Sequence, residues 1–83
     1  MASSYLIKAE KLKRQGKLQE AIALLQDAIN LNPHFFWYYH KMGEAVALLG
    51  DWDEAIQTYL KAIELNPNSA LSHHNLGEVF EKN

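Results

Sequence analysis

A period of 34 residues restricts this chain more than any other feature. Gly16 and Gly50, Ala21 and Ala55, Ala28 and Ala62, Pro33 and Pro67, and Gly43 and Gly77 all stand 34 apart. Residues 2–35 laid on residues 36–69 give eleven identities: Tyr, Glu, Gly, Glu-Ala-Ile, Ala-Ile and Leu-Asn-Pro. A third copy begins at Ala70 and runs 14 residues to Asn83. Such a period marks stacked supersecondary units, none of which can bury its apolar face alone. The 83 residues hold one domain at most, residues 1–83, built of repeats 2–35 and 36–69 and a half repeat 70–83.

Each unit reads as two helices. Asp51 is an N-cap candidate, with Glu54 three residues on to complete a capping box. Trp52, Ala55, Ile56, Tyr59, Ala62 and Ile63 then recur at helical spacing. Pro67 ends the run, because it lacks an amide and disfavours helical backbone at Asn66. Leu18, Ala21, Ile22, Leu25, Ala28, Ile29 and Pro33 repeat the arrangement. Gly16 and Gly50 fall between the two helices of a unit, where a left-handed C-cap wants no Cβ. The spacing predicts helices over 3–15, 18–31, 35–49, 52–65 and 69–82. Short connections make neighbours antiparallel.

A 34-residue helix–turn–helix with W-x2-L-G-x2-Y…A-x3-F…P spacing resembles the tetratricopeptide repeat (TPR) family. The second unit fills its slots with Tyr39, Met42, Gly43, Val46, Gly50, Ala55, Tyr59, Ala62 and Pro67. The first keeps Tyr5, Leu12, Gly16, Ala21, Leu25, Ala28 and Pro33, with Lys8 and Ala9 in place of the usual Leu-Gly. The third supplies Leu76, Gly77 and Phe80, with His73 in the large-aromatic slot. The resemblance covers essentially the whole chain. It implies an all-α fold of five antiparallel helices in a right-handed solenoid. These are packing slots, with small residues for close approach and large ones to fill the remainder, so they speak to fold rather than function. His73 is expected to face the core.

The stripe on the first helix of each unit that meets the preceding unit differs among the copies. In the second unit it is apolar: Tyr38, Met42, Ala45, Leu49. In the third, Ser72, Leu76, Val79 and Asn83 are apolar at the centre. In the first, Ser4, Lys8, Lys11 and Gln15 are entirely polar, as a terminal cap requires. At the other end Leu76, Gly77 and Phe80 are expected to present a surface that a following helix would cover. The chain stops one position short of the next inter-helix glycine. This reads as a segment of a longer repeat protein, or as a chain whose last helix serves as a lid or pairs with another copy. Leu76 and Phe80 are the residues expected to mediate such a weak homodimer through the fifth helix.

In the family the first helices of successive units line a concave groove, and the resemblance implies that a protein or peptide partner binds there. The inward slots hold Ser3, Leu6, Ile7, Glu10, Lys13 and Arg14 in the first unit. In the second they hold Trp37, His40, Lys41, Glu44, Ala47 and Leu48, and in the third Leu71, His74, Asn75, Glu78, Glu81 and Lys82. Glu10, Glu44 and Glu78 make a column, with His40 and His74 beside it, and none is needed for helix packing. The column reads either as a ligand-facing carboxylate row or as solvated glutamates with good helix propensity. The family's clamp for acidic chaperone tails needs Lys and Asn in the first unit, Asn in the second, and Lys and Arg in the third. Here those slots hold Leu6, Glu10, Lys41, Leu71 and Asn75, and none matches. A basic or amphipathic segment suits the groove better. Trp37 reads as a contact residue or as a ring lying over Leu6 or Leu71.

Eight Lys+Arg against ten Asp+Glu leave no basic excess for phosphates, so nucleic acid is not an expected partner. Without cysteine there is no disulfide, thiolate metal site or cysteine nucleophile. No apolar run reaches the ~20 residues of a membrane span, and no signal peptide opens the chain, so a cytoplasmic location is the expectation. His40/Glu44 and His74/Glu78 stand four apart and share helical faces, a geometry open to a metal but equally that of an ordinary polar pair. No metal or cofactor is expected. There is no phosphate loop and no H-E-x-x-H, and Ser3, Ser4, Ser69 and Ser72 lack an ordered His/Asp context. The chain reads as a non-catalytic interaction scaffold. The alternative is a substrate-presenting module of a larger enzyme, such as a glycosyltransferase or other transferase.

Overall fold

The computed structural model describes the backbone of residues 2–82 and the side chains of residues 4–82, so the Ser3 and Asn83 side chains lie outside it. It contains α1 (Ala2–Arg14), α2 (Leu18–Leu31), α3 (Phe36–Leu48), α4 (Trp52–Leu65) and α5 (Ala70–Lys82). Each helix packs antiparallel on the next, and α1, α3 and α5 also meet one another. The first helices of the units therefore form an inner layer, with α2 and α4 outside it.

The turns explain why the chain folds back where it does. Gly16 and Gly50 adopt φ of 77° and 83°, a left-handed conformation open to glycine without steric penalty. The Gly16 amide donates to the Lys13 carbonyl (3.0 Å) and the Lys17 amide to the Leu12 carbonyl (2.9 Å). At the end of α3 the Gly50 amide donates to Ala47 (2.9 Å) and the Asp51 amide to Val46 (3.4 Å). Both are Schellman closures, which satisfy the last carbonyls of a helix. The second of them undoes half of the expected capping box. Asp51 does accept from the Glu54 amide at 3.5 Å, but its own amide already serves Val46 and has no need of the Glu54 side chain.

The helices of the outer layer end differently and identically. Asn32 and Asn66 leave the helix at φ −145° and −142°, the extended backbone that a following proline imposes. After each proline a side chain six residues on ties the turn down. Tyr39 Oη donates to the Pro33 carbonyl at 2.9 Å, and His73 Nε2 donates to the Pro67 carbonyl at 2.8 Å. A carbonyl only accepts, so the His73 proton sits on Nε2. The expected core position of His73 is thereby corrected: the ring is exposed and works as a turn clasp.

Ala9, Ala21, Ala28, Ala55 and Ala62 are almost fully buried at the contacts within units, beside Leu25, Tyr59 and Val46. A Cβ on Gly43 would stand 2.8 Å from the Tyr59 ring. Tyr38 bridges the first two units, edge-on to Tyr5 at 6.0 Å and to Phe35 at 4.8 Å between ring centres. Among the described residues no helix is long and apolar enough to cross a membrane.

Candidate functional site

The concave side divides into two unlike halves. Between α1 and α3 it is closed by charge. Lys13 Nζ lies 3.1 Å from both Glu10 Oε1 and Glu44 Oε1. Lys41 Nζ stands 3.4 Å from Glu44 and 3.6 Å from Glu10, and Arg14 Nε 3.2 Å from Glu10 Oε2. Two carboxylates thus face three cations. Burial pushes the Glu44 carboxyl up, but His40, Lys13 and Lys41 more than reverse this and bring its pKa down to about 2. For Glu10 the upward effect of burial is likewise outweighed, by Lys13, Lys41 and Arg14. Lys13 is raised despite partial burial, because both glutamates hold its proton. The Lys13–Glu44 hydrogen bond joins residues 31 apart, and it ties α1 to α3. Leu6 lines a depression of 510 Å³ beside this cluster with Ile7, Glu10, Arg14 and Lys41.

The glutamate column is therefore not uniform. Glu10 and Glu44 are spent within the protein. Among the described residues Glu78, with a side chain 58% exposed, pairs only with the imidazole of His74, at 3.5 Å. The structure does not extend the row across the groove, because the third unit has Asn75 and Glu81 where the second has Lys41 and Ala47 and the first has Ile7 and Lys13.

His40 departs most from the sequence reading. It was expected in the open groove, free of packing duty, yet its side chain is 0% exposed. The reason lies one repeat away. Ser72 replaces Tyr38 at the facing slot, and its small side chain leaves room for the imidazole to turn inward. Nδ1 sits 2.8 Å from Ser72 Oγ. The rings of Phe36, Trp37 and Tyr59 surround it at 5.8, 5.4 and 5.7 Å. Ser69 Oγ donates to Ser72 Oγ at 3.2 Å, so Ser72 is free to donate to Nδ1. That leaves the ring proton on Nε2, facing Glu44 Oε2 at 3.4 Å without the geometry of a regular hydrogen bond. Ser72 does, then, have a His and an acid in line. With Ser72 and His40 both fully buried, no substrate reaches the hydroxyl in this fold, and the trio is a structural tie between α5 and α3. The two His/Glu pairs do not converge on one point, and among the described residues no three metal-ligating groups gather.

Between α3 and α5 the concave side opens into a cleft of 470 Å³. Ala47, Leu48, Trp52 and Val79 supply apolar walls. Lys13, Glu44, Asn75, Glu78 and Lys82 form the rim, with Tyr59 at the floor. Asn75 Nδ2 donates to Tyr59 Oη at 3.4 Å. Burial and the charges of Glu44 and Glu78 raise the Tyr59 phenol, against the smaller opposing effect of the Asn75 bond, so it stays neutral. Leu71 and Trp37 are partly exposed on α5 and α3. Trp37 packs edge-on against Phe36 at 4.7 Å and against His40 at 5.4 Å. Trp52, Tyr59 and Val79 were not among the expected groove residues. The one sequence hint was Trp52 standing where the first unit has Leu18.

Leu76 is also corrected. At 9% exposure it belongs to the core between the second and third units, because its slot faces back along the array. Phe80 alone of the expected pair is open, at 56%.

Helix pairs in a two-layer array, with a concave cleft built from the inner helices, define a helical-repeat protein. A family model described as TPR repeat matches residues 9–50 and again 47–83. The chain belongs to the tetratricopeptide repeat family. Among solved structures it is similar to MamA from Desulfovibrio magneticus RS-1, with 27% identity and a TM-score of 0.90 over 98% of this chain and 46% of that one. A MamA RS-1 double mutant gives 26% identity and the same TM-score and coverage. A tetratricopeptide repeat domain protein from Salinibacter ruber, 21% identical with a TM-score of 0.71, covers 99% of this chain and 91% of its own, and shows the fold alone. This chain spans less than half the length of the MamA chains it matches. Among curated proteins no sequence matches it.

Proposed function

We propose that the chain is a protein-interaction scaffold whose α3–α5 cleft takes an amphipathic segment of a partner protein. The observation that carries this is the contrast across the concave side. The 510 Å³ depression on the α1 side is ringed by Lys11, Arg14 and Lys41, whereas Leu48, Trp52 and Val79 wall the 470 Å³ cleft between α3 and α5. An apolar anchor side chain fits that cleft, and Glu78 on the rim offers a carboxylate to a basic residue near the anchor. Apolar anchors with charged neighbours are how helical peptides are read in grooves, and burying one large side chain contributes ~1.5–3 kcal/mol. A uniformly basic segment fits less well, because the three cations at Glu10 and Glu44 repel it.

The test is a displayed library of amphipathic peptides selected on the chain. Selected peptides should each carry a large apolar residue with Lys or Arg nearby. Leu48→Glu should weaken them at least tenfold and Glu78→Lys by a smaller factor. Peptides whose affinity ignores both changes bind elsewhere and sink the reading.

A further inference from the structure

Repeat equivalence assigns a second surface. The face of α3 formed by Tyr39, Gly43 and Val46 is covered by α4, so closely that a Cβ on Gly43 would strike the Tyr59 ring at 2.8 Å. The same slots on α1, Tyr5, Ala9 and Leu12, meet α2, and Ala9 is buried there. On α5 they hold His73, Gly77 and Phe80. There a Cβ on Gly77 would meet nothing within 4 Å, and the Phe80 ring is 56% exposed. Glycine is the poorest helix former after proline, and among the described residues none occupies the space it leaves.

We propose that this face seats a second copy of the chain, with the two α5 helices antiparallel and the Phe80 ring of each lying over Gly77 of the other. The seat continues an interface that the chain already builds twice, and its packing element, an aromatic ring on a helical glycine, is that of Tyr59 on Gly43. The face is also self-complementary. Ring and notch lie three residues apart on one helix, so a two-fold axis between the copies satisfies both at once. Antiparallel packing opposes the two helix dipoles, each N-terminus lying beside the other helix's C-terminus. Leu76, buried toward α3, takes no part. One helix face is small beside the ~1,600 Å² of a stable interface, so the dimer is weak and forms at roughly 0.1–1 mM.

Sedimentation across a concentration series tests this with the whole chain. Phe80→Glu places a charge at an exposed site, and Gly77→Leu adds a side chain in open space and improves helix propensity. Neither disturbs the single copy, which circular dichroism verifies. The wild type should move from monomer toward dimer with concentration, and both variants should stay monomeric. Leu48→Glu, in the cleft, should associate as the wild type does, which keeps this result separate from peptide binding. A wild type monomeric throughout overturns the proposal. So does association that survives Phe80→Glu and Gly77→Leu, or that vanishes with Leu48→Glu alone.

Discussion

Helices α3 and α5 are the same element 34 residues apart, and they lead different lives. Both carry a glycine at the eighth slot, a histidine at the fifth and a glutamate at the ninth. In α3 the glycine lies under a tyrosine ring, the histidine is fully buried, and the Glu44 side chain is 21% exposed amid lysines. In α5 the glycine faces open space, the His74 side chain is 70% exposed, and Glu78 meets solvent. The difference lies in what surrounds each helix. Helix α3 has neighbours on every flank but the concave one, whereas α5 packs only on α4 and α3. Residue identity sets what a slot can do, and the adjoining helices set what it does.

Paired substitutions break this comparison most sharply at the glycines. Gly43→Leu drives a side chain into Tyr59. Overpacking costs ~1–3 kcal/mol or more, a large share of the roughly 4–6 kcal/mol total stability of so small a domain, so the variant should melt at least about 5–15 °C below the wild type. Gly77→Leu, measured at low micromolar concentration, should raise stability by about 0.5–1 kcal/mol. Equal effects in thermal melts would show that the slots are alike after all.

The histidines come next. His40→Ala empties a site among three aromatic rings and strands Ser72, and should cost about 2–4 kcal/mol. His74→Ala should stay within about 0.5 kcal/mol. Urea denaturation of both, side by side, decides whether the burial of His40 matters.

The glutamates give the smallest contrast and a pH signature. Glu44 titrates at about 2 in the folded chain, below the ordinary 4.5, so its contribution is present above pH 4.5 and is lost as pH falls toward 2. After solvent screening this amounts to about 1–2 kcal/mol. Glu44→Gln should lose it at neutral pH and show a flatter acid dependence. Glu78→Gln should change stability by less than about 0.5 kcal/mol. An acid limb that is unchanged in Glu44→Gln would place the titrating group elsewhere.

The helices and turns were legible because their causes are local. Gly16 and Gly50 close the first helix of each unit, Pro33 and Pro67 end the second, and the apolar spacing between them sets the buried side. The capping box failed by half because the turn before it had already claimed the Asp51 amide. The groove was less legible. Slot positions located Leu6, Glu10, Lys13, Lys41, Glu44, Asn75 and Glu78 on the inner helices, but periodicity carries no distances between helices. It therefore missed that Lys13 reaches Glu44, and that Trp52 and Tyr59 from the outer layer help form the cleft.

The 34-residue period, with its glycines, prolines and small residues, determined by itself the number of helices, their order and the family. Those depend on backbone preferences and on a repeat that registers each helix against the next. Only the tertiary structure decided which of three equivalent glutamates stays free, which of two histidines is buried, and that His73 clasps a turn. Each of these turns on a few ångströms between side chains from different units. Ser72 in place of a tyrosine admits an imidazole, and a lysine within 3.1 Å neutralises a carboxylate.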